Sequence, residues 1–315
     1  MTTVFHQGEI LIQTESGVKE RVHRMASKFV RDHIIDQHKE FFENQNYAFI
    51  ALHDDYGRPW ISLVQGPTGF IHSPDQRCLN IQAKAIAQDE LSLQVGLGHA
   101  VGFLGLEFHS RRRNRLNGNF QKHENAEHMS IKVGHSFGNC PKYIQLRSFE
   151  RDSIQQVKTQ KSGRSYEHLV AFNEQDIHLI ENADTLFIAS AEQPHADLDA
   201  SHRGGKPGFV RLKNNNELWF NDYPGNNFFQ TFGNLHNYPY CGLMFIDFKS
   251  GDILLLSGQS RLEKISNTKN LAEKKTNFIP RRFHFVLEKG LRIKRAVEGQ
   301  WSDVELSPFL DKIDH

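Results

Sequence analysis

The sequence predicts a mainly β protein with flanking helices (α+β), in which one small barrel-forming domain occurs twice in tandem. Three observations carry this. Gly102, Glu107-Phe108, Ser110 and Asn117-Gly118 return 140 residues later as Gly242, Asp247-Phe248, Ser250 and Ser257-Gly258. Upstream, Phe49-Ile50-Ala51 returns as Phe187-Ile188-Ala189, and Gly69-Phe70 as Gly208-Phe209. Such a period exceeds the roughly 20–50 residues of solenoid units, so each copy is long enough to own a core. Second, aromatic usage is skewed to 24 Phe against 7 Tyr and 3 Trp, and many Phe lie in short runs bounded by Gly, Pro, Asn and Asp, which is strand punctuation. Third, 315 residues suit two domains of ordinary size.

Along the chain, residues 1–16 read as an irregular lead-in. From 17 to 44, Val18, Val22, Met25, Phe29, Val30, Ile34, Ile35 and Phe41 fall largely on helical spacing, which predicts one or two amphipathic helices. Strands are expected at about 47–52, 60–65, 69–72, 78–82, 100–108 and 129–134, the first two joined by the turn Asp54-Asp55-Tyr56-Gly57. The polar, Lys- and Gln-rich stretch 151–165 reads as a linker between a first domain, 1–150, and a second, 166–315. The second opens with a helix near 173–182 and continues with strands near 185–190, 208–213, 217–221, 240–248, 252–261 and 281–289, interrupted by a helix between 226 and 236. Each copy is thus a helix followed by strands with one short internal helix, which suits a closed or half-open barrel.

Charge and composition exclude several classes. Thirty-eight basic and 37 acidic residues leave a net charge of +1, so no global field draws the chain to nucleic acid or membrane, and any anion site is local. No apolar run approaches the ~18 residues of a membrane span, and the start Met1-Thr2-Thr3-Val4-Phe5-His6 lacks the basic and apolar regions of a signal peptide. A cytoplasmic protein is expected. Cys78, Cys140 and Cys241 form no CxxC, against a disulfide framework or structural zinc, and the 18 histidines show no HExxH, so no metal is expected.

The segment richest in chemistry opens with Ser201-His202-Arg203-Gly204-Gly205-Lys206-Pro207-Gly208-Phe209. Glycine lets backbone approach a ligand closely, and Ser and Arg supply donors for a carbonyl or phosphate. Next comes Asn221-Asp222-Tyr223-Pro224-Gly225-Asn226-Asn227-Phe228, a Pro-Gly turn feeding a helix whose free backbone donors suit phosphate. The plainer reading of each is a hairpin turn whose Asp and Asn satisfy their own backbone. In the first copy, Arg111, Arg112, Arg113 and Arg115 crowd the end of a strand. Alternation puts Arg111, Arg113 and Arg115 on one face, where they recognise an anionic ligand together with Lys142, unless the cluster is a solvated hairpin or an RNA patch. Cys140, two residues from Lys142, is either a reactive thiol or a structural one. No catalytic acid or base can be named, and alternation turns His202 away from its neighbours.

Ser201-His-Arg-Gly-Gly-x-Pro-Gly-Phe, then Asp222-Tyr-x-Gly-Asn, Gly233-Asn234-Leu, Pro239-x-x-Gly242-Leu-x-Phe and Gly258 together resemble the pyridoxamine 5'-phosphate oxidase-like FMN-binding split-barrel family, in its long two-barrel members. In the first half the resemblance covers Gly57-Arg58-Pro59-Trp60, Gly66-Pro67-x-Gly69-Phe70 and the segment from Gly138 to Ile144. It implies a tandem duplicated split β-barrel with FMN as cofactor. By position, Ser201, Arg203 and Gly204 would face the isoalloxazine or ribityl chain, and Asp222, Gly225 and Asn226 would wrap the ribityl and phosphate. Where related sequences often carry arginine after Gly-Asn, this chain has Asn227, so Arg211, Lys213 or a cation from another segment would have to hold the phosphate. The resemblance implies an oxidoreductase acting on a small-molecule substrate, with NAD(P)H or a protein as electron donor, in a homodimer that builds its cleft between subunits. The alternatives are a non-catalytic flavin- or haem-binding module and a cofactor-free scaffold. Oxidation of pyridoxamine 5'-phosphate itself is not expected, since fold does not fix substrate.

Overall fold

The computed structural model describes residues 4–122, 127–153, 156, 158, 163–265 and 279–312. Three helices open the chain: α1 (Gln7–Glu15), α2 (Lys19–Phe29) and α3 (Asp36–Glu43). The expected irregular lead-in is therefore corrected, because α1 is a capped helix. His6 accepts from the backbone of Gly8 while Glu9 accepts from His6 N at 2.8 Å, a reciprocal cap that offsets the shortness of the helix. Close packing adds the rest. A Cβ on Gly8 would lie 2.3 Å from the carbonyl oxygen of Gly233, so only glycine lets α1 touch the helix beneath it.

The first copy contains β1 (Tyr47–His53), β2 (Pro59–Gln65), β3 (Ile71–Asp75), β4 (Cys78–Ile81), β5 (Ala100–Glu107), β6 (Arg112–Gln121) and β7 (Met129–Gly138). After β8 (Phe149–Arg151) and β9 (Ser165–Leu169), the second copy contains α4 (Glu174–Asn182), β10 (Thr185–Ala191), β11 (Leu198–Gly204), β12 (Val210–Asn214), β13 (Glu217–Asn221), α5 (Gln230–Asn237), β14 (Tyr240–Ile246), β15 (Ile253–Lys264) and β16 (Arg281–Lys294), followed by β17 (Gly299–Trp301). Most of the expected linker, 151–165, lies outside the described residues.

The duplication is explicit in the topology. The first sheet runs β2-β1-β5-β6-β7-β4-β3 and the second β11-β10-β14-β15-β16-β13-β12, with β9 added on β16. Even the irregularities repeat: register shifts at Asn117/Gly118 and at Ser257/Gly258, the same repeat position. Each copy is a half-open barrel of the split type with helices at its flanks. Strands β6 and β11 are absent from the sequence reading, and the internal helix expected in each copy occurs in the second alone, among the described residues.

The two barrels share a core. Phe49 and Phe187, equivalent residues of β1 and β10, stack with centroids 3.6 Å apart, and one apolar cluster takes in both copies, from Phe42 and Leu104 to Met244 and Leu255. Two glycines set how closely the sheets approach. A Cβ on Gly102 would lie 2.8 Å from the backbone of residues 198–200, and one on Gly242 would lie 2.7 Å from that of Pro59 and Trp60. Strand β5 thus presses glycine onto β11 of the other copy, and β14 presses glycine onto β2. Gly102→Ala is expected to destabilise the chain by about 1–3 kcal/mol through overpacking, read as a lower midpoint in urea. An unchanged midpoint would mean that the sheets can part there.

Candidate functional site

A cleft of about 110 Å³ lies between the copies, where β5, β6 and the segment after β7 face β11, β13 and the turn before α5. The first copy supplies Leu104, Arg113, Arg115, Asn139, Lys142 and Tyr143. The second supplies Ser201, Arg203, Gly204, Asp222, Gly225, Asn226 and Asn227, with Phe209, Phe220, Phe229 and Phe232 as apolar lining.

Strand β6 begins at Arg112, so alternation turns Arg113 and Arg115 into the cleft and Arg112 outward over the ring of Phe41, at 5.3 Å. Arg113 Nη1 donates to His202 Nδ1 at 3.1 Å and reaches the His202 carbonyl at 3.4 Å. Arg203 Nη1 donates to the same carbonyl at 3.1 Å. Arg115 is held more fully, by Asp199 at 2.7 Å and Gln230 at 2.6 Å. Asp199 also accepts from Asn117 and, at 2.9 Å, from Asn234. Ser201 Oγ and Thr231 Oγ1 share a hydrogen bond at 3.0 Å. Among the described residues, Nε of Arg113, Arg115 and Arg203 is buried without a hydrogen-bond partner. One buried guanidinium, Arg115, and two half-buried ones, Arg113 and Arg203, each with a buried Nε to spare, make an arrangement that needs acceptors.

The electrostatics of the cleft carry the same excess. Burial, with Arg203 and Arg115 close by, pushes Arg113 down to about 9. Burial and the cations Arg113, Arg203 and Arg147 hold His202 well below its ordinary value, so it is neutral and can accept from Arg113. Burial lowers Arg203 too. Asp222 is raised by burial to about 6, against the pull of Arg203 and Arg281. Arg113, Arg115, Arg203 and Lys142 (four positive) against Asp199 and Asp222 (two negative) leave a local charge of +2 in a chain whose total is +1. The charge matches a phosphate dianion or sulfate.

Two residues of the first copy, Tyr143 and Asn139, close the cleft across the copies. Tyr143, with φ of 66°, brings its carbonyl oxygen to where a Cβ on Gly204 would lie, 1.9 Å away, so glycine is required at 204. Its hydroxyl donates to the Pro224 carbonyl at 3.0 Å and its ring lies 5.3 Å from that of Tyr223. Asn226 Nδ2 donates to Asn139 Oδ1 at 2.8 Å. Burial raises the Tyr143 phenol to about 12, which leaves it a donor at neutral pH.

The other sequence candidates lie elsewhere. Arg111 occupies a left-handed turn before β6 and donates to the Ile144 carbonyl at 3.1 Å and to Glu305 at 3.0 Å, so it does not share the face of Arg113 and Arg115. Arg211 is exposed over Trp219 at 5.3 Å, and Lys213 pairs with Glu217 at 2.8 Å. Neither lines the cleft. Cys140 is half-buried and free. Among the described residues no group of three or more His, Cys, Asp or Glu is placed to hold a metal, and no helix is long and apolar enough to cross a membrane. Sequence reading missed Asp199, Gln230 and Thr231. Asp199 was findable, since alternation puts it on the face of Ser201 and Arg203.

Asp222 predicts a pH dependence. With its pKa near 6, its carboxylate opposes a bound anion at pH 7.5 and is protonated at pH 5. Asp222→Asn is expected to tighten sulfate binding several-fold at pH 7.5 and to change it little at pH 5, measured by calorimetry. Equal effects at both pH values would place Asp222 outside the site's electrostatics.

No family model matches the chain, and no curated protein matches it in sequence. Solved structures do resemble it. HupZ of group A Streptococcus is 16% identical over 39% of this chain and 91% of its own, with a TM-score of 0.28. A pyridoxamine 5'-phosphate oxidase-like protein of Lactobacillus delbrueckii is 11% identical over 39% and 94%, TM-score 0.30. A FAD-binding protein of Mesorhizobium loti is 9% identical over 42% and 99%, TM-score 0.28. Each match spans about the length of one barrel.

Proposed function

We propose that the cleft binds the phosphate of a flavin nucleotide, FMN, and that the chain is a flavin-dependent oxidoreductase acting on a small molecule. The observation that carries the proposal is the trio Arg113, Arg115 and Arg203, each with a buried Nε that has no partner among the described residues, and together short of negative charge. The donor set fits a phosphate ester. Arg113 and Arg115 also supply, from the other barrel, the charge that Asn227 does not. The cleft's 110 Å³ fits only the phosphate end, far below the roughly 300–1,000 Å³ of pockets for larger ligands. A tricyclic ring would therefore have to extend beyond this cleft. Bound flavin supplies two-electron redox chemistry. The chain's own residues hold the anion and keep His202 neutral.

The absorption spectrum of the purified chain, with the mass of whatever acid releases, tests this reading. Oxidised-flavin bands and a mass of FMN support it, and reduction by NAD(P)H or a protein donor then separates an enzyme from a non-catalytic flavin module. A haem spectrum replaces the cofactor. A colourless protein that binds phosphate but not added FMN removes the flavin and leaves a scaffold with an anion site, which the small volume favours as the second reading.

A further inference from the structure

A duplicated fold generates a second cleft position, and strand register identifies its residues. Phe49 pairs with Leu63 on β2 and Leu104 on β5, as Phe187 pairs with His202 on β11 and Met244 on β14. Hence Ser62 stands where the other copy has Ser201, and Val64 where it has Arg203. On the facing wall Leu104 and Leu106 pair with Arg115 and Arg113, as Met244 and Ile246 pair with Leu255 and Ile253. All three guanidiniums are thus replaced by Val64, Ile253 and Leu255, each 0% exposed.

The rest of the twin position is closed as well. Gln65 occupies the place of Gly204, the glycine that admits the Tyr143 loop. Its Nε2 donates to the Ala296 carbonyl at 2.9 Å and its Oε1 accepts from Glu298 N at 2.8 Å, which pins the segment after β16 in place. Ser62 Oγ is buried with no partner among the described residues, whereas Ser201 has Thr231. The hydroxyl persists where its surroundings have become core.

We propose that each chain binds a single anionic ligand, in the cleft between β6 and β11, and that the twin position between β2 and β15 is closed. The first barrel then serves the second by supplying Arg113 and Arg115 within one chain, so no second copy is needed to complete the site. This rests on the reading of the cleft as an anion site, and not on the anion being FMN.

Equilibrium dialysis of the full chain against inorganic phosphate and, separately, FMN gives the ligand count, and native mass spectrometry gives the assembly that carries it. One phosphate per single chain is expected, with affinity at least tenfold lower in Arg113→Ala and unchanged in Ser62→Ala. Two ligands per chain, one ligand that survives Arg113→Ala combined with Arg203→Ala, or ligand carried only by an assembly of two chains would each overturn the proposal. Phosphate binding once while FMN does not bind removes the flavin and leaves this inference standing. FMN binding twice does the reverse, and failure of both anions to bind overturns both.

Discussion

Arg203→Ala and Arg113→Ala are each expected to weaken binding of a phosphate ester by about 10- to 150-fold, the equivalent of one lost charge-assisted hydrogen bond at about 1.5–3 kcal/mol. The two residues come from different barrels, β11 and β6, and meet at the His202 carbonyl. Their double mutant should therefore fall short of the sum, because residues sharing a ligand and a partner couple. Stability of the ligand-free chain supplies the contrast. Arg113 has no carboxylate partner among its hydrogen bonds, and its neighbours Arg203 and Arg115 repel it. Removing it relieves repulsion, so the urea midpoint of the free chain should hold or rise while affinity falls. An arginine kept for structure would give the opposite result. Arg115, tied to Asp199 and Gln230, serves as the internal comparison: its loss strands a buried carboxylate and should lower the midpoint.

The sequence revealed the repeat because glycines and paired residues such as Asn117-Gly118 survive at positions where backbone geometry leaves little choice. A register shift occurs there in both copies, and Gly102 and Gly242 both meet foreign backbone. Strands β6 and β11 were hidden for a physical reason. Their cleft-facing residues are not apolar: Arg113, Arg115, Asp199, Ser201 and Arg203 interrupt the alternation that the buried Leu116, Phe120, Leu198 and Ala200 would otherwise show. The site and the failure of strand recognition thus have one cause, since a strand that lines a charged cleft loses its hydrophobic signal. The near-zero net charge requires any anion site to be local, and the motif from Ser201 to Asn227 supplies residues of one wall of the cleft. That the opposite wall belongs to the first copy required the packing of Phe49 on Phe187, which no local pattern encodes. Helix α1 was missed because its cap residue is His6 and much of its support is tertiary: Gly8 against Gly233 and Gln13 Nε2 to the Phe228 carbonyl at 3.0 Å.

Glu9 in that helix should make the chain less stable as pH rises, and Glu9→Gln should abolish the effect. Glu9 is 4% exposed, and burial, with Asp199 and Glu192 nearby, raises its pKa from 4.5 to about 9 against the favourable contribution of the His6 N–H and Arg115. In the unfolded chain it titrates near 4.5. A carboxyl whose folded pKa is the higher one favours the native state fully below pH 4.5, and that contribution is lost progressively up to about pH 9. At pH 7 the native state holds a proton that the unfolded state has released, which costs about 3 kcal/mol at 1.36 kcal/mol per unit. Glutamine keeps the acceptor for His6 N without the ionisation. Glu9→Gln should therefore match the wild type at pH 4 and exceed it by up to about 3 kcal/mol at pH 7, read from urea unfolding at each pH. Parallel stability profiles, or a variant weaker at pH 7 than at pH 4, would show that Glu9 is ionised in the folded chain. Because Asn234 joins His6, at 2.8 Å, to Asp199, and Asp199 holds Arg115, the carboxyl that helix α1 buries lies at the outer end of the network that orients the cleft. An ionised Glu9 would place a second negative charge near Asp199 and Arg115, so the neutral form leaves more of the Arg115 charge to the cleft.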